Sequence, residues 1–256
     1  MTWTACRQNI EAEYAHLHPE VPAEDFRNNL LISPRYGYAF LNNPKVACTT
    51  IRKLLIDAER GAVRPFADRA PSLHYKEFLP FFNAWQIEGL ASWLAASDHF
   101  TFCFVRNPFT RLLSGYLDKI VRGESQRMNI LKALGREDEP TAAISFSTFV
   151  RTVCAMPVME QDPHWRVQYY HTCQAGIAFD FVGRFENLEA DLRIVARRLG
   201  IEAFITEETF GQGSRQHATG AGAQLREYYT SELVDCVREA FAPDFAAFGY
   251  ANSLPD

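Results

Sequence analysis

No basic segment followed by an apolar core opens the chain: MTWTACRQNIEAEYAHL is mixed in character and does not read as a signal peptide. No apolar run approaches the roughly 20 residues of a membrane-spanning helix. The expectation is a protein without a transmembrane segment, working in the cytoplasm. A CxxC pair is missing too. The six cysteines stand at 6, 48, 103, 154, 173 and 236, which argues against a zinc site and, without a secretory signal, reads as reduced thiols rather than a disulfide framework. Nor is there an excess of positive charge. The formal net charge is −5, so no global field draws the protein to nucleic acid or to an anionic membrane, and any anion site must be local. No internal repeat or low-complexity linker divides the 256 residues, and one domain is expected over 1–256.

What is present is an ordinary apolar content of 47% and a pattern of alternating elements. Tyr36 to Leu41 reads as a strand, broken by Asn42, Asn43 and Pro44; Ile51, Leu54 and Leu55 then recur at helical spacing. Between them lies a loop with a lysine, Lys45, and hydroxyls at the helix start. The first N–H groups of a helix have no internal acceptor and carry the positive end of the macrodipole, so such a turn captures anions. The loop contains no glycine and its lysine comes early, unlike GxxxxGK[ST]. Phe100 to Val105 is a continuous apolar run of the kind buried in a parallel sheet. Arg106 ends it, Asn107 can cap, and Pro108 suits a first helical turn. Leu112, Leu113, Tyr116, Leu117 and Ile120 form the stripe of that helix. A strand over Phe179 to Gly183 and helices over Gln86 to Ala96, Ser147 to Ala155, Glu189 to Leu199 and from Leu225 onward complete the pattern. Residues 1–35 read as an N-terminal cap without chemistry, 123–141 as an exposed connection, and 207–223 as a mobile glycine-containing loop. Strands alternating with helices imply an α/β fold with a mostly parallel sheet.

Four ordered blocks carry a family resemblance: PKVACTT after its aromatic strand, FTFCFVRNPFTRLLSGYLDK, HWRVQYYHTC followed by FDFVGRFENLEADL, and YYTSELVDCVREAFAPDFAAFGY. Together, from Tyr36 to Tyr250, they resemble PAPS-dependent sulfotransferases, in particular the carbohydrate sulfotransferases of the chondroitin-4/HNK-1 type and their bacterial relatives. The resemblance implies a P-loop-like three-layer α/β/α fold with a family-like core over 36–250. Golgi-resident members carry a membrane anchor and often a second cysteine just after the position of Cys173. Here Gln174, Ala175 and Gly176 come next, in keeping with a reducing compartment.

The implied co-substrate is 3′-phosphoadenosine-5′-phosphosulfate (PAPS), with no metal required and a carbohydrate or other small hydroxyl acceptor. By resemblance Lys45 faces the bridging oxygen, and Val46, Ala47, Cys48, Thr49 and Thr50 offer N–H and hydroxyl donors to the 5′-phosphate. Arg106 and Ser114 are the pair assigned to the 3′-phosphate, while Arg111 has a weaker claim on it and reads alternatively as a structural ion-pair residue. Phe185 reads either as a ring beside the adenine or as a core phenylalanine. Arg215, in GQGSRQHATG, belongs either to a loop closing over the nucleotide or to an exposed surface. The acceptor's proton needs a base. His74 and His164 are the candidates, with Glu77 and Asp162 as nearby carboxylate substitutes; His164 could instead hold the acceptor. Two rivals stay open: a P-loop-like nucleotide kinase, which should need Mg²⁺ and a true glycine loop, and a nucleotide-binding module without catalysis.

Overall fold

Short apolar runs and helical stripes become strands and helices in the computed structural model, which describes residues 12, 15–63, 80–211 and 221–255. Helix α1 (Ala23–Asn29) leads directly into β1 (Leu30–Ser33), a turn returns the chain as β2 (Tyr38–Leu41), and α2 (Cys48–Arg60) comes after it. Next come α3 (Leu90–Ala95), β3 (Phe100–Val105), α4 (Pro108–Gly115), α5 (Arg127–Ala133), α6 (Phe146–Ala155) and α7 (Gln168–His171). Strand β4 (Phe181–Arg184) precedes α8 (Leu188–Leu199), α9 (Glu207–Phe210), α10 (Ala221–Tyr228), α11 (Ser231–Ala240) and α12 (Ala242–Phe248). Contacts divide the chain into two compact units, Met1–Val105 with Thr172–His217 and Arg106–His171 with Ala218–Asp256. The sequence reads as one domain because no linker marks this division: Val105 is succeeded at once by Arg106, and His171 by Thr172.

The first unit holds the sheet, of order β1-β2-β3-β4. β1 runs antiparallel to β2, with Leu30 opposite Leu41; the β2–β3 and β3–β4 pairs are parallel, with Tyr38 opposite Phe100 and Val105 opposite Arg184. Strand alternation sends Tyr38, Phe40, Phe100, Phe102 and Phe104 to one face. There Phe40 stacks on Phe102 at 5.0 Å between ring centroids, and Phe100 on Phe102 at 5.4 Å. Ile51, Leu54 and Leu55 of α2 and Leu192, Val195 and Ala196 of α8 share one core with these rings. The opposite face carries Ala39, Leu41, Thr101, Cys103 and Val105, all buried. Thr101 ties that face to the 178–180 segment, its Oγ1 donating to the carbonyl oxygen of Ala178 at 2.9 Å and its backbone N–H to Asp180 Oδ2 at 2.7 Å. Burial on both faces explains why these strands are apolar throughout. The result is a mixed α/β fold with a mostly parallel sheet flanked by helices, the P-loop-like class the sequence implies. One strand is a correction. Residues 30–33, read as part of an inert cap, form an edge strand too short and too uniformly apolar to show a period.

Gly183 on β4 lies against the Phe104 ring so closely that an added Cβ would sit 2.4 Å from it. Gly183→Ala is therefore expected to destabilise the protein by about 1–3 kcal/mol through overpacking. Urea unfolding measures this, and an unchanged midpoint would contradict the packing.

The described residues of the second unit contain no strand. Its core joins Leu112 and Leu113 of α4 to Phe149, Val150 and Val153 of α6, Leu233 and Val237 of α11, and Phe245 of α12. Buried hydroxyls find carbonyl oxygens: Tyr229 donates to that of Phe109 and Tyr116 to that of Ile144, both at 3.0 Å. Beyond α4 the chain widens into a π-helical stretch, Tyr116–Val121. Residues 123–141, expected to be an exposed connection, contain α5, whose Ile130 and Leu131 are completely buried. Met128, Ile130, Leu131 and Leu134 fall within two turns, too short a stretch between charged flanks for a helical period to stand out. Among the described residues no helix is long and apolar enough to cross a membrane.

Candidate active site

In the first unit, β2 ends at Leu41 and two buried asparagines anchor the loop beyond it. The Asn42 amide donates to Asn29 Oδ1 at 3.0 Å, and that of Asn43 to the carbonyl oxygen of Phe104 at 3.1 Å, fastening the loop to β3. Then the backbone alternates in sign. Lys45 has φ 67° and Ala47 φ 50°, while Val46 between them stays negative. Left-handed backbone costs a residue with a Cβ about 1–2 kcal/mol, and two such residues within three mark stored strain of the sort found at binding loops. Alternating conformations of this kind turn successive N–H groups inward as an anion-binding nest. Ala47 is also the N-cap of α2; no side chain caps the helix, and no acidic residue occupies its first turn. Helix α8, by contrast, has Glu189 and Asp191 there. The first turn of α2 thus contributes no carboxylate of its own to the positive end, while Cys48 and Thr49 are half-exposed and Thr50 is buried beside it.

Behind the loop, α2 carries charges that sequence reasoning passed over. Lys53 Nζ lies 3.1 Å from Asp57 Oδ2, both fully buried. Burial pulls the Arg52 guanidinium below its ordinary value, with Cys48 one turn earlier acting in the opposite direction. Phe185 begins a short 3₁₀ turn after β4 and packs half-buried against the first core, a position open to either of its two readings. His74, Glu77 and Arg215 lie outside the described residues.

In the second unit, Arg106 is buried and directed by its own helix. Its Nε donates to Thr110 Oγ1 at 2.9 Å, and that hydroxyl donates to the Asn107 carbonyl oxygen at 3.1 Å. Asn107 caps α4 as expected, its Oδ1 accepting from the backbone N–H groups of Phe109 and Thr110 at 3.0 and 3.4 Å. Ser114 is buried two turns along the same helix. Its neighbour Gly115 leaves room for the backbone of another residue: a Cβ there would meet the His164 carbonyl oxygen at 3.3 Å. So α4 starts two residues after Arg106, carries Ser114 and packs at Gly115 against the His164 backbone.

His164 is held by Asp162. The carboxylate Oδ1 lies 2.6 Å from Nδ1 of the ring and accepts the His164 backbone N–H at 2.9 Å. Burial alone would raise the Asp162 carboxyl, but the hydrogen bonds and charge of His164, with Arg166, outweigh it and hold the group below the usual range. An ionised carboxylate only accepts, so the Nδ1 that faces Asp162 carries a proton whether the ring is neutral or charged. Arg111 braces this segment, donating to the carbonyl oxygens of Pro163 and Arg166 at 2.8 Å each. Burial lowers its guanidinium to about 10, the attraction of Asp244 partly opposing this. Its bonds to the two carbonyl oxygens fasten the 163–166 segment to α4.

The sequence model of the sulfotransferase family matches residues 28–251, from just before β1 to just beyond α12. The chain belongs to the sulfotransferase family. This agrees with the resemblance carried by the four sequence blocks. Similar proteins include carbohydrate sulfotransferase 12 of Xenopus laevis, 25% identical over 260 residues that cover 87% of this chain and 60% of that one. Carbohydrate sulfotransferase 14 of Mus musculus is 30% identical over 171 residues, covering 64% and 44%. Carbohydrate sulfotransferase 10 of Rattus norvegicus is 24% identical over 267 residues, covering 96% and 72%. The chain thus spans between about half and three quarters of the length of these relatives. No solved structure matches it. Within this sulfotransferase-family chain the match takes in both units, and with them the 44–50 loop, Arg106 and the Asp162–His164 pair.

Proposed function

We propose that the chain transfers the sulfuryl group of PAPS to a hydroxyl of a carbohydrate or glycoconjugate. The observation that carries this reading is the 44–50 junction: strained, with no acidic residue in the first turn of α2, and opening the N-terminus of that helix in a chain of this family. A 5′-phosphosulfate suits those N–H groups, and Lys45 is assigned to the bridging oxygen, where negative charge grows as the S–O bond breaks. The acceptor oxygen forms the new S–O bond and gives up its proton to a base. Of the two histidine candidates His164 is preferred, because Asp162 orients its ring through Nδ1, the arrangement in which a neutral imidazole accepts at its other nitrogen. 3′-Phosphoadenosine-5′-phosphate then leaves. The carbohydrate acceptor is supported by the names of the similar proteins.

Incubating the purified chain with sulfur-labelled PAPS and a panel of glycans and phenols, with and without EDTA, tests the proposal. Label is expected on a glycan in both conditions. Transfer from ATP that EDTA abolishes would instead support the kinase reading, and donor binding without any transfer the non-catalytic one.

Arg106 is assigned to the 3′-phosphate, since a guanidinium fork suits a phosphate dianion, with Ser114 as a neutral second donor. Arg106→Ala is expected to weaken binding of 3′-phosphoadenosine-5′-phosphate by about 1.5–3 kcal/mol, the worth of a hydrogen bond to a charged group, and to leave 5′-AMP binding as it was. Calorimetry reads both; equal losses would remove Arg106 from that role.

A further inference from the structure

Arg106 is held at its backbone as well as at its side chain. Gln168, the first residue of α7, is completely buried, and its amide meets both polar groups of the Arg106 main chain. The Arg106 N–H donates to Gln168 Oε1 at 2.9 Å, and Gln168 Nε2 donates to the Arg106 carbonyl oxygen at 2.8 Å. Arg106 lies one residue past the end of β3, where the ladder has stopped, so a side-chain amide stands in for the missing strand. The amide is itself held. Asp244, on α12 and completely buried, accepts from Gln168 Nε2 at 3.1 Å and from the Gln168 N–H at 3.0 Å with Oδ2, and from the Tyr169 N–H at 2.7 Å with Oδ1. Only one orientation of the amide satisfies this set. Flipped, it would set NH₂ against the Arg106 N–H and oxygen against the Asp244 carboxylate. Burial pushes the Asp244 carboxyl up, against the opposing pull of its N–H donors and Arg111. A carboxylate kept in a dry interior is a poor choice for stability alone, and here all its described hydrogen bonds serve the geometry of 168 and 169.

We propose that Gln168 and Asp244 are positioning residues for recognition of the donor's 3′-phosphate: Asp244 orients the Gln168 amide, and the amide fixes the main chain from which the Arg106 guanidinium projects. With its backbone clamped and its Nε on Thr110, Arg106 meets a phosphate with little left to order, the condition for tight and selective binding. This rests on the reading that Arg106 binds that phosphate.

The test compares binding of 3′-phosphoadenosine-5′-phosphate and 5′-AMP by calorimetry to the full chain. The variants are Gln168→Leu, Asp244→Asn, Arg106→Ala and the double variant Gln168→Leu/Arg106→Ala, each checked for folding by circular dichroism. Gln168→Leu is expected to lower bisphosphate affinity about tenfold, the scale of one lost net hydrogen bond, without changing that for 5′-AMP. It should add nothing once Arg106 is alanine, because residues acting through one another are not additive. Should Gln168→Leu fail to fold, Asp244→Asn, which keeps one acceptor oxygen, decides by the same ratio. Equal loss for both nucleotides, an unchanged ratio, or full additivity with Arg106→Ala would reduce the pair to scaffolding and overturn the proposal. A wild-type chain that binds both nucleotides equally would overturn the underlying reading instead, a result distinct from wild-type selectivity that the variants retain.

Discussion

Lys45→Ala is expected to lower turnover by roughly 10²–10³, the usual cost of removing one preorganised donor from a developing anion, while affinity for 3′-phosphoadenosine-5′-phosphate stays nearly constant. The asymmetry comes from where charge appears. On the proposed reading the 5′-phosphate faces, in the ground state, the N–H groups of residues 45–50, which alanine retains. Only as the S–O bond breaks does the bridging oxygen become fully anionic, and only then does the ammonium group contribute most. Strain supplies a control. Lys45 holds φ 67°, so Lys45→Gly should relieve about 1–2 kcal/mol of left-handed strain and unfold at equal or higher denaturant, yet be as inactive as Lys45→Ala. Single-turnover kinetics at saturating donor, set beside urea unfolding, separate the two effects. Normal turnover with weakened donor affinity would show that Lys45 binds the ground state and does not stabilise the departing oxygen.

His164→Ala is expected to cost roughly 10²–10⁴ in turnover, the range for a lost general base, with donor affinity preserved. The acidic limb of the rate profile should vanish with it, since a protonated imidazole cannot take the acceptor's proton. Asp162→Asn is expected to fall between: it keeps an acceptor for Nδ1–H but removes the charge that favours the imidazolium formed during transfer. The same pair predicts a pH effect on stability. Asp162 is held below the usual carboxylate range, so its contribution is present above the unfolded-state value of about 3.9. That contribution is lost as pH falls through the lower, folded-state value. Acid unfolding of Asp162→Asn should therefore be flatter than that of the parent. A folded His164→Ala protein with near-normal kcat and only a raised KM for the acceptor would move His164 from base to acceptor binding.

Much of this chain is written locally. The strand–loop–helix of 36–60, the apolar run at 100–105, the Asn107 cap with Pro108 behind it and the stripe of α8 all depend on neighbours within a turn or two. Sequence alone therefore determined their place, and the four family blocks brought the chemistry with them. Sequence also singled out the 44–50 loop as the candidate for an anion, because N–H groups at a helix start need no distant partner to attract one. Other features depend on residues far apart. That Lys45 and Ala47 adopt left-handed backbone without glycine is imposed by a loop fastened through Asn42 to Asn29 and through Asn43 to β3. In the sequence Asp162 is one carboxylate near a histidine; only the fold sets its Oδ1 against the His164 ring. Gln168 and Asp244, inside the family blocks yet silent there, acquire meaning only where a side chain from residue 168 replaces a strand beside residue 106 and one from residue 244 holds it in place. The division into two cores was likewise decided by tertiary structure. Periodicity reports which face of an element is apolar, but the element that covers that face is chosen by packing across the chain.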